Sequence, residues 1–462
     1  MDPILIGEIL SGLMFFGVIG MLMLGFPVAF TLAGTSLIFA LIGYQFGVFN
    51  FSNFSSLAGR YIGFMTNEIL VAVPLFIFMG VMLERSKIAE QLLMTMSKLF
   101  GNLRGGLGIS VILVGALLAA STGVVGATVV TMGLISLPAM LRAGYDPKLA
   151  SGVICASGTL GQIIPPSTVL IFMADMLAGI NSQVQMAQGN FAPDPISVGD
   201  LFAGAFLPGL LLVSLYLVWM IIKAIKDPES CPATPISAEE RRSLGKEVLV
   251  ALVPPLLLIT AVLGSILGGI ATPTEASSVG AVGAMILAAS RWRLSLTVLK
   301  EAVISTATIT SMIFIIIFGA SVFSIVFRQM GGDNLVHEFL TNLPGGAIGA
   351  MIVVMLIMFV LGFILDTFEI IFIVIPITAP ILLMLGLDPV WVGVMVGVNL
   401  QTSFLTPPFG FSLFYLRGVA PNHVSTGQIY KGAIPFVLIQ IFAIALLFIF
   451  PEIVTWLPKA LY

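Results

Sequence analysis

The chain has 462 residues, 58% of them hydrophobic and only 9% charged, with a formal net charge of -3. A soluble globular protein carries about a quarter charged residues, so this composition excludes an ordinary soluble domain. Two cysteines, Cys155 in an apolar run and Cys231 in a polar one, offer neither a disulfide framework nor a metal-ligand spacing.

Taken in chain order, the opening MDPILIGEIL lacks a basic n-region and a small-residue cleavage site, so residues 4–24 read as a first membrane span rather than a removable signal peptide. Apolar runs long enough to cross a bilayer recur at 248–267, 302–326 and 432–450, and the whole pattern predicts roughly ten full spans plus two paired half-spans. One polar linker, 223–247, divides the chain into halves at 1–222 and 248–462. All 19 lysines and arginines except Arg60, Arg328 and Lys459 can be placed on one side, which the positive-inside rule makes cytoplasmic. Both termini then face outward.

The halves resemble each other. Asn102-Leu103-Arg104-Gly105-Gly106 matches Asn342-Leu343-Pro344-Gly345-Gly346; Pro138 matches Pro380, Asp146-Pro147 matches Asp388-Pro389, and Pro165-Pro166 matches Pro407-Pro408. Four matches in one order and nearly in register argue for duplication, and the charge pattern places matched segments on opposite sides. An inverted repeat of this kind is the architecture of secondary transporters.

Within each half, two segments are unusual. The stretches 106–141 and 346–385 are expected to leave and re-enter on one side as helical hairpins, with Ser121-Thr122-Gly123 at the first tip and Gly362 and Asp366-Thr367 at the second. The stretches 149–175 and 390–416 each carry a Pro-Pro pair inside an apolar run, which predicts broken helices. A proline has no N–H, so Pro165 should release the carbonyl of Gly161 and Pro407 that of Ser403. Freed carbonyls at membrane depth suit a hard cation; a plain proline kink repaired by Ser and Thr is the alternative.

Among ionisable groups, Thr272-Pro273-Thr274-Glu275 has the pattern of a helix-capping box, and Asp366 and Glu369 read as local caps or pathway residues near the second tip. No H-E-x-x-H, nucleophile-elbow or nucleotide-binding motif occurs, so enzymatic and ATP-driven readings lack support. No nucleotide, transition metal or nucleic-acid partner is expected. A channel and an intramembrane hydrolase are the more distant alternatives.

The motifs GFPVAF at 25–30, GTLGQIIPPS at 158–167, GIATPTEASSVGA at 269–281, LTPPFG at 405–410 and the ending FPEIVTWLP at 450–458 resemble the large transmembrane subunit of tripartite ATP-independent periplasmic (TRAP) transporters, the DctM-like type. The resemblance covers the whole chain. It implies an all-α, elevator-type importer in the bacterial inner membrane, coupled to Na+ at two or more sites and carrying carboxylates such as C4-dicarboxylates, keto acids or sialic acids. It further implies a small four-helix membrane subunit and a periplasmic substrate-binding protein as partners, alongside membrane lipid; a one-component sodium- or proton-coupled anion transporter is the runner-up.

Carried over position by position, one sodium site would use Ser121 and Thr122 with the backbone around Gly161, Ile164 and Pro166. The other would use Gly362 with Ser403, Thr406 and Phe409. Ser167, Asp366 and Asn399 are candidate solute contacts, and the loop 176–199 is a candidate contact for the binding protein.

Overall fold

The protein's structure, a computed structural model, describes every residue except Met1, Val124, Ile236 and Ser237, and gives the backbone alone for Ser121, Thr122 and residues 238–243. The described residues form helices and connections, with no strand among them.

The first half begins with α1 (Pro3–Met23), whose N-terminus is capped by the Asp2 carboxylate accepting from the Ile4 N–H at 3.1 Å, and α2 (Val28–Gln45). Next come α3 (Ser55–Met65) and α4 (Glu68–Arg85), bent by 54° at their junction, and the amphipathic α5 (Ile88–Phe100). A helical pair, α6 (Gly106–Thr122) and α7 (Val125–Arg142), precedes α8 (Pro147–Thr159), α9 (Thr168–Ala187) and the long α10 (Val198–Lys226).

Beyond the linker lie α11 (Ala238–Leu267), α12 (Pro273–Ser290) and α13 (Leu296–Gln329). The amphipathic α14 (Gly332–Thr341) leads into α15 (Gly346–Leu361), α16 (Thr367–Ile373) and α17 (Ile375–Met384). Finally come α18 (Pro389–Leu405), α19 (Phe411–Val419), α20 (Thr426–Ile449) and α21 (Glu452–Leu461).

Among the described residues, eight helices are long and apolar enough to cross a membrane, or up to ten if each bent pair counts as one span. At 1.5 Å per residue, α6 and α15 fall short of the roughly 30 Å hydrocarbon core. Many large apolar side chains point outward, with Phe16 70%, Phe30 68% and Leu257 63% exposed. Such a surface is stable only against lipid or another apolar partner.

The element order repeats. An amphipathic helix, a helical hairpin and a helix interrupted at Pro-Pro occur as α5 to α9 and again as α14 to α19. Both hairpins start after a glycine in the left-handed region, Gly105 at φ 76° and Gly345 at φ 94°, where a side chain would be strained. The returning arms differ, because α7 runs on through Pro138 whereas the second arm bends by 58° between α16 and α17. That bend falls just before Pro376, which has no N–H to offer Phe372.

The chain forms two compact units, and each draws on both sequence halves. The first comprises 1–70, 172–197 and 308–392; the second comprises 71–171, 198–307 and 393–462. The linker therefore marks no boundary between units. Instead it is pinned inside the second: Thr234 N–H donates to the Gly101 carbonyl at 2.8 Å, Gly105 N–H to Cys231 at 2.9 Å, and Asp146 N–H to Ser230 at 2.9 Å. The Lys98–Glu247 ion pair at 3.0 Å adds a further tie.

In the first unit, α1 packs on α2 and α14, and α14 on α15 and α17. Close backbone approach requires small residues there. A Cβ on Gly7 would stand 2.6 Å from the Met330 carbonyl oxygen, and one on Gly319 would stand 2.3 Å from that of Ala29. The second unit is built around α8, buried throughout 149–159, against α20, α7 and α6. Its tightest crossing joins Gly152 and Gly432: a Cβ on Gly152 would meet the Gly432 oxygen at 2.1 Å.

Candidate functional site

Both Pro-Pro pairs interrupt their helices. After α8 the chain makes one 3-10 turn at Leu160–Gln162, then runs without helix through Pro165-Pro166 to Thr168. After α18 it turns through Thr406 to Gly410 before α19 begins. Both Pro-Pro bonds are cis.

At the first break the Ile164 N–H turns back to the Leu160 carbonyl at 3.0 Å. The carbonyl of Gly161 accepts no hydrogen bond from the described residues. Backbone approaches it from the hairpin: a Cβ added to Gly161 would stand 3.7 Å from both the Cα and the carbonyl oxygen of Ala119. The hairpin tip is locked to the break from the other side as well. Thr168 Oγ1 donates to the Gly123 carbonyl at 3.0 Å, and Gly123 sits at φ 60° with its N–H on Ala119. A buried hydroxyl that donates in this way still has lone pairs to offer a cation.

Gly161, Ile164 and Pro166 thus occupy one buried or half-buried stretch beside the end of α6. Ser121 and Thr122 belong to the last turn of α6, but their side chains lie outside the described residues. Ser167 is buried and spends its hydroxyl on the Gln162 carbonyl at 3.0 Å.

The second break differs from the expectation in one respect. Ser403 keeps a donor on its carbonyl, because the chain tightens into a turn that brings the Thr406 N–H to 3.1 Å. Around this turn Thr406 Oγ1 donates to the Thr402 carbonyl at 2.7 Å, and Ser403 Oγ to that of Leu400 at 2.8 Å. Ser412 Oγ donates to Phe404 at 2.7 Å. Phe409 is 55% exposed, and Asn399 is buried within α18.

Gly362 and Asp366 belong to the first compact unit. Gly362 ends α15 in right-handed helical geometry, with its N–H on Met358 at 2.8 Å. Asp366 caps α16: its carboxylate accepts from the Thr367 N–H at 2.7 Å, and Glu369 accepts from the Asp366 N–H at 3.0 Å. The Asp366 side chain also accepts from the Glu369 N–H, which completes a capping box, one of the two roles, cap or pathway residue, read from the sequence. Glu275 plays the same part at α12, accepting from the Thr272 N–H at 2.8 Å.

Residues that sequence reasoning missed lie close by. Thr168 carries the tip-to-break bond, and Gln401 Nε2 donates to Thr159 Oγ1 at 3.3 Å in the fully buried centre of the second unit. Gln440 Nε2 donates to Tyr216 Oη at 2.7 Å in the same unit. The base of the hairpin is held by Tyr145, whose hydroxyl accepts from the Gly108 N–H at 3.4 Å and whose pKa burial pushes up to about 12. A signal was available for Thr168, the first helical residue after Pro-Pro-Ser; none was available for Gln401.

The family described as "Tripartite ATP-independent periplasmic transporter, DctM component" matches residues 15–453. The chain is 30% identical to the C4-dicarboxylate TRAP transporter large permease protein of Vibrio cholerae, covering 97% of each chain. It is 29% identical to the ectoine TRAP transporter large permease protein of Halomonas elongata, covering 95% of this chain and 96% of that one. It is also 28% identical to the sialic acid TRAP transporter large permease protein of Vibrio cholerae, over 96% and 97%. The solved structure of the Alcanivorax borkumensis YdaH transporter shares the fold, with a TM-score of 0.61 and 16% identity over 90% of each chain. Full-length coverage by such relatives, together with an apolar multi-span body, makes this a multi-pass membrane transporter and not an enzyme. The chain belongs to the family of DctM components, the large permease subunits of tripartite ATP-independent periplasmic transporters.

Proposed function

We propose that this chain is the large membrane subunit of a sodium-coupled importer of an organic anion in the bacterial inner membrane, working with a small four-helix subunit and a periplasmic binding protein. The relatives' solutes are a C4-dicarboxylate, sialic acid and ectoine, and a carboxylate is the chemistry they share. The two halves are inverted repeats, both termini face outward, and the hairpins with their broken helices are the parts that carry the solute across.

The observation that supports coupling most directly is the Gly161 carbonyl. No described residue donates to it, and it lies at a proline break beside the hairpin backbone at Ala119. Neutral oxygens at a helix break suit an alkali cation, and a bound cation offsets the charge of an anionic solute in segments that contain no Lys or Arg of their own. The first ion would sit near Ser121, Thr122, Gly161, Ile164 and Pro166, and a second near Ser403, Thr406 and Phe409. Ser167, Asp366 and Asn399 are solute contacts in this reading, and 176–199 meets the binding protein.

The test is uptake of labelled succinate, pyruvate and sialic acid into proteoliposomes holding this chain and its small subunit, with the cognate binding protein outside. An inward sodium gradient should drive accumulation, and omitting either partner should abolish it. Uptake by this chain alone, or uptake indifferent to sodium, would overturn the reading.

A further inference from the structure

The first compact unit contains a cavity of about 340 Å³, within the range of about 300–1,000 Å³ typical of small-molecule sites. Arg60 of α3 and Arg328 of α13 both line it, with Ser321, Ser324, Asp175 and Phe372 among its other walls. Ser321, Ser324 and Arg328 follow one another at spacings of three and four, so they share one face of α13.

The donors in this cavity are under-used. Arg60 makes no hydrogen bond or ion pair with any described residue, and the Ser324 hydroxyl donates to none. Arg328 is held at its back, with Nη2 on the Pro376 carbonyl at 3.1 Å and Nε 3.1 Å from Asp333. The one carboxylate in the lining, Asp175, accepts from the Asn67 amide at 2.7 Å and pairs with neither arginine. With Arg328 paired to Asp333, Arg60 is the guanidinium in this lining that has no counter-ion among the described residues, and a charge so placed in a membrane protein favours an anion beside it.

We propose that this cavity is an anion site on the first unit, taking the carboxylate of a small organic acid between Arg60 and Arg328, with Ser324 as a further donor. Guanidinium forks match the two oxygens of a carboxylate, and one fork already fixed by Asp333 and Pro376 presents its remaining N–H groups in a set direction. Asp175, the carboxylate in the same lining, opposes a second negative group, so an acid with one charged end is favoured over one with two. None of these residues is shared with the proline breaks. The inference takes from the proposed function only that the solute is an organic anion.

The experiment is phenylglyoxal labelling of Arg60 in the full-length chain, purified into phosphatidylcholine nanodiscs in sodium-free buffer and mapped by mass spectrometry. Pyruvate should slow labelling of Arg60 about fivefold against chloride at matched ionic strength, and succinate by less, while Arg417 labels at the same rate throughout. Arg328→Gln should remove the protection; should that variant fail to fold, Ser324→Ala should reduce it. Full labelling of Arg60 in the presence of both acids would overturn the site. So would protection by phosphatidylglycerol nanodiscs with no added effect of the acids, which would assign the arginines to a lipid phosphate. Because labelling needs neither sodium nor partners, its failure alongside intact sodium-driven uptake would remove this site and leave the transport function standing.

Discussion

Gln401 and Thr159 stand 242 positions apart in the chain, and the amide of one donates to the hydroxyl of the other at 3.3 Å in a fully buried setting. The same offset separates Pro165 from Pro407, Pro138 from Pro380 and Asp146 from Asp388. Two positions at that offset therefore touch inside the second unit.

Gln401→Leu keeps the volume and removes the donor. Thr159 retains its bond to the Ala156 carbonyl at 2.9 Å, while the Gln401 amide also interacts with Tyr216, so the expected loss is about 1 kcal/mol or somewhat more. Thermal unfolding in detergent measures it, and an unchanged midpoint would show that the bond contributes nothing.

The crossing of α8 and α20 tolerates no side chain at its centre. In Gly432→Ala the new Cβ would collide with the Lys148 carbonyl, a backbone atom that cannot rotate away. A loss of about 3 kcal/mol or more, or failure to accumulate in the membrane, is expected. Gly427→Ala, where nothing lies within 4 Å, is the matched control and should be neutral or slightly stabilising.

Thr168→Val keeps the shape of the residue and cuts the Thr168–Gly123 bond that ties the hairpin tip to the first break. The sodium concentration for half-maximal uptake should rise several-fold, by about 1 kcal/mol of lost positioning. Ser121→Val and Thr406→Val should weaken sodium dependence in the same assay. Wild-type sodium activation in all three variants would separate these residues from the ion.

Asp227 gives a pH signature outside the membrane. The hydrogen bond from Lys223, at 3.1 Å, holds its carboxyl below the usual carboxylate range. A folded pKa below the unfolded value means that the contribution is present above about pH 4 and is lost as pH falls through the folded pKa. Asp227→Asn should therefore lower the unfolding temperature at neutral pH and converge with wild type in acid; a difference constant with pH would argue against the ion pair as the cause.

The local features were legible because they are local. Pro165-Pro166 and Pro407-Pro408 break their helices since a missing N–H acts on the chain's own previous turn, whatever surrounds it. Thr272-Pro273-Thr274-Glu275 and Asp366 with Glu369 form their boxes within four residues, and the hairpins begin at Gly105 and Gly345 because only glycine sits easily at positive φ. Even the fate of the Ser403 carbonyl shows where such reasoning stops: proline removes one donor, but the path of the following turn selects the next.

By itself, then, the order of residues determined that the chain lives in a membrane, where its helices stop and which local motifs recur, all consequences of composition, spacing and backbone covalent geometry. Which distant positions meet was decided only by the tertiary structure. So were the drawing of each compact unit from both halves, the crossing of α8 and α20 at two glycines, and the facing of Arg60 and Arg328 into one cavity. Those relations join residues far apart in the chain, and in a sequence this uniformly apolar the side-chain pattern barely distinguishes one packing partner from another. Close backbone approach and the pairing of the few polar groups make the choice.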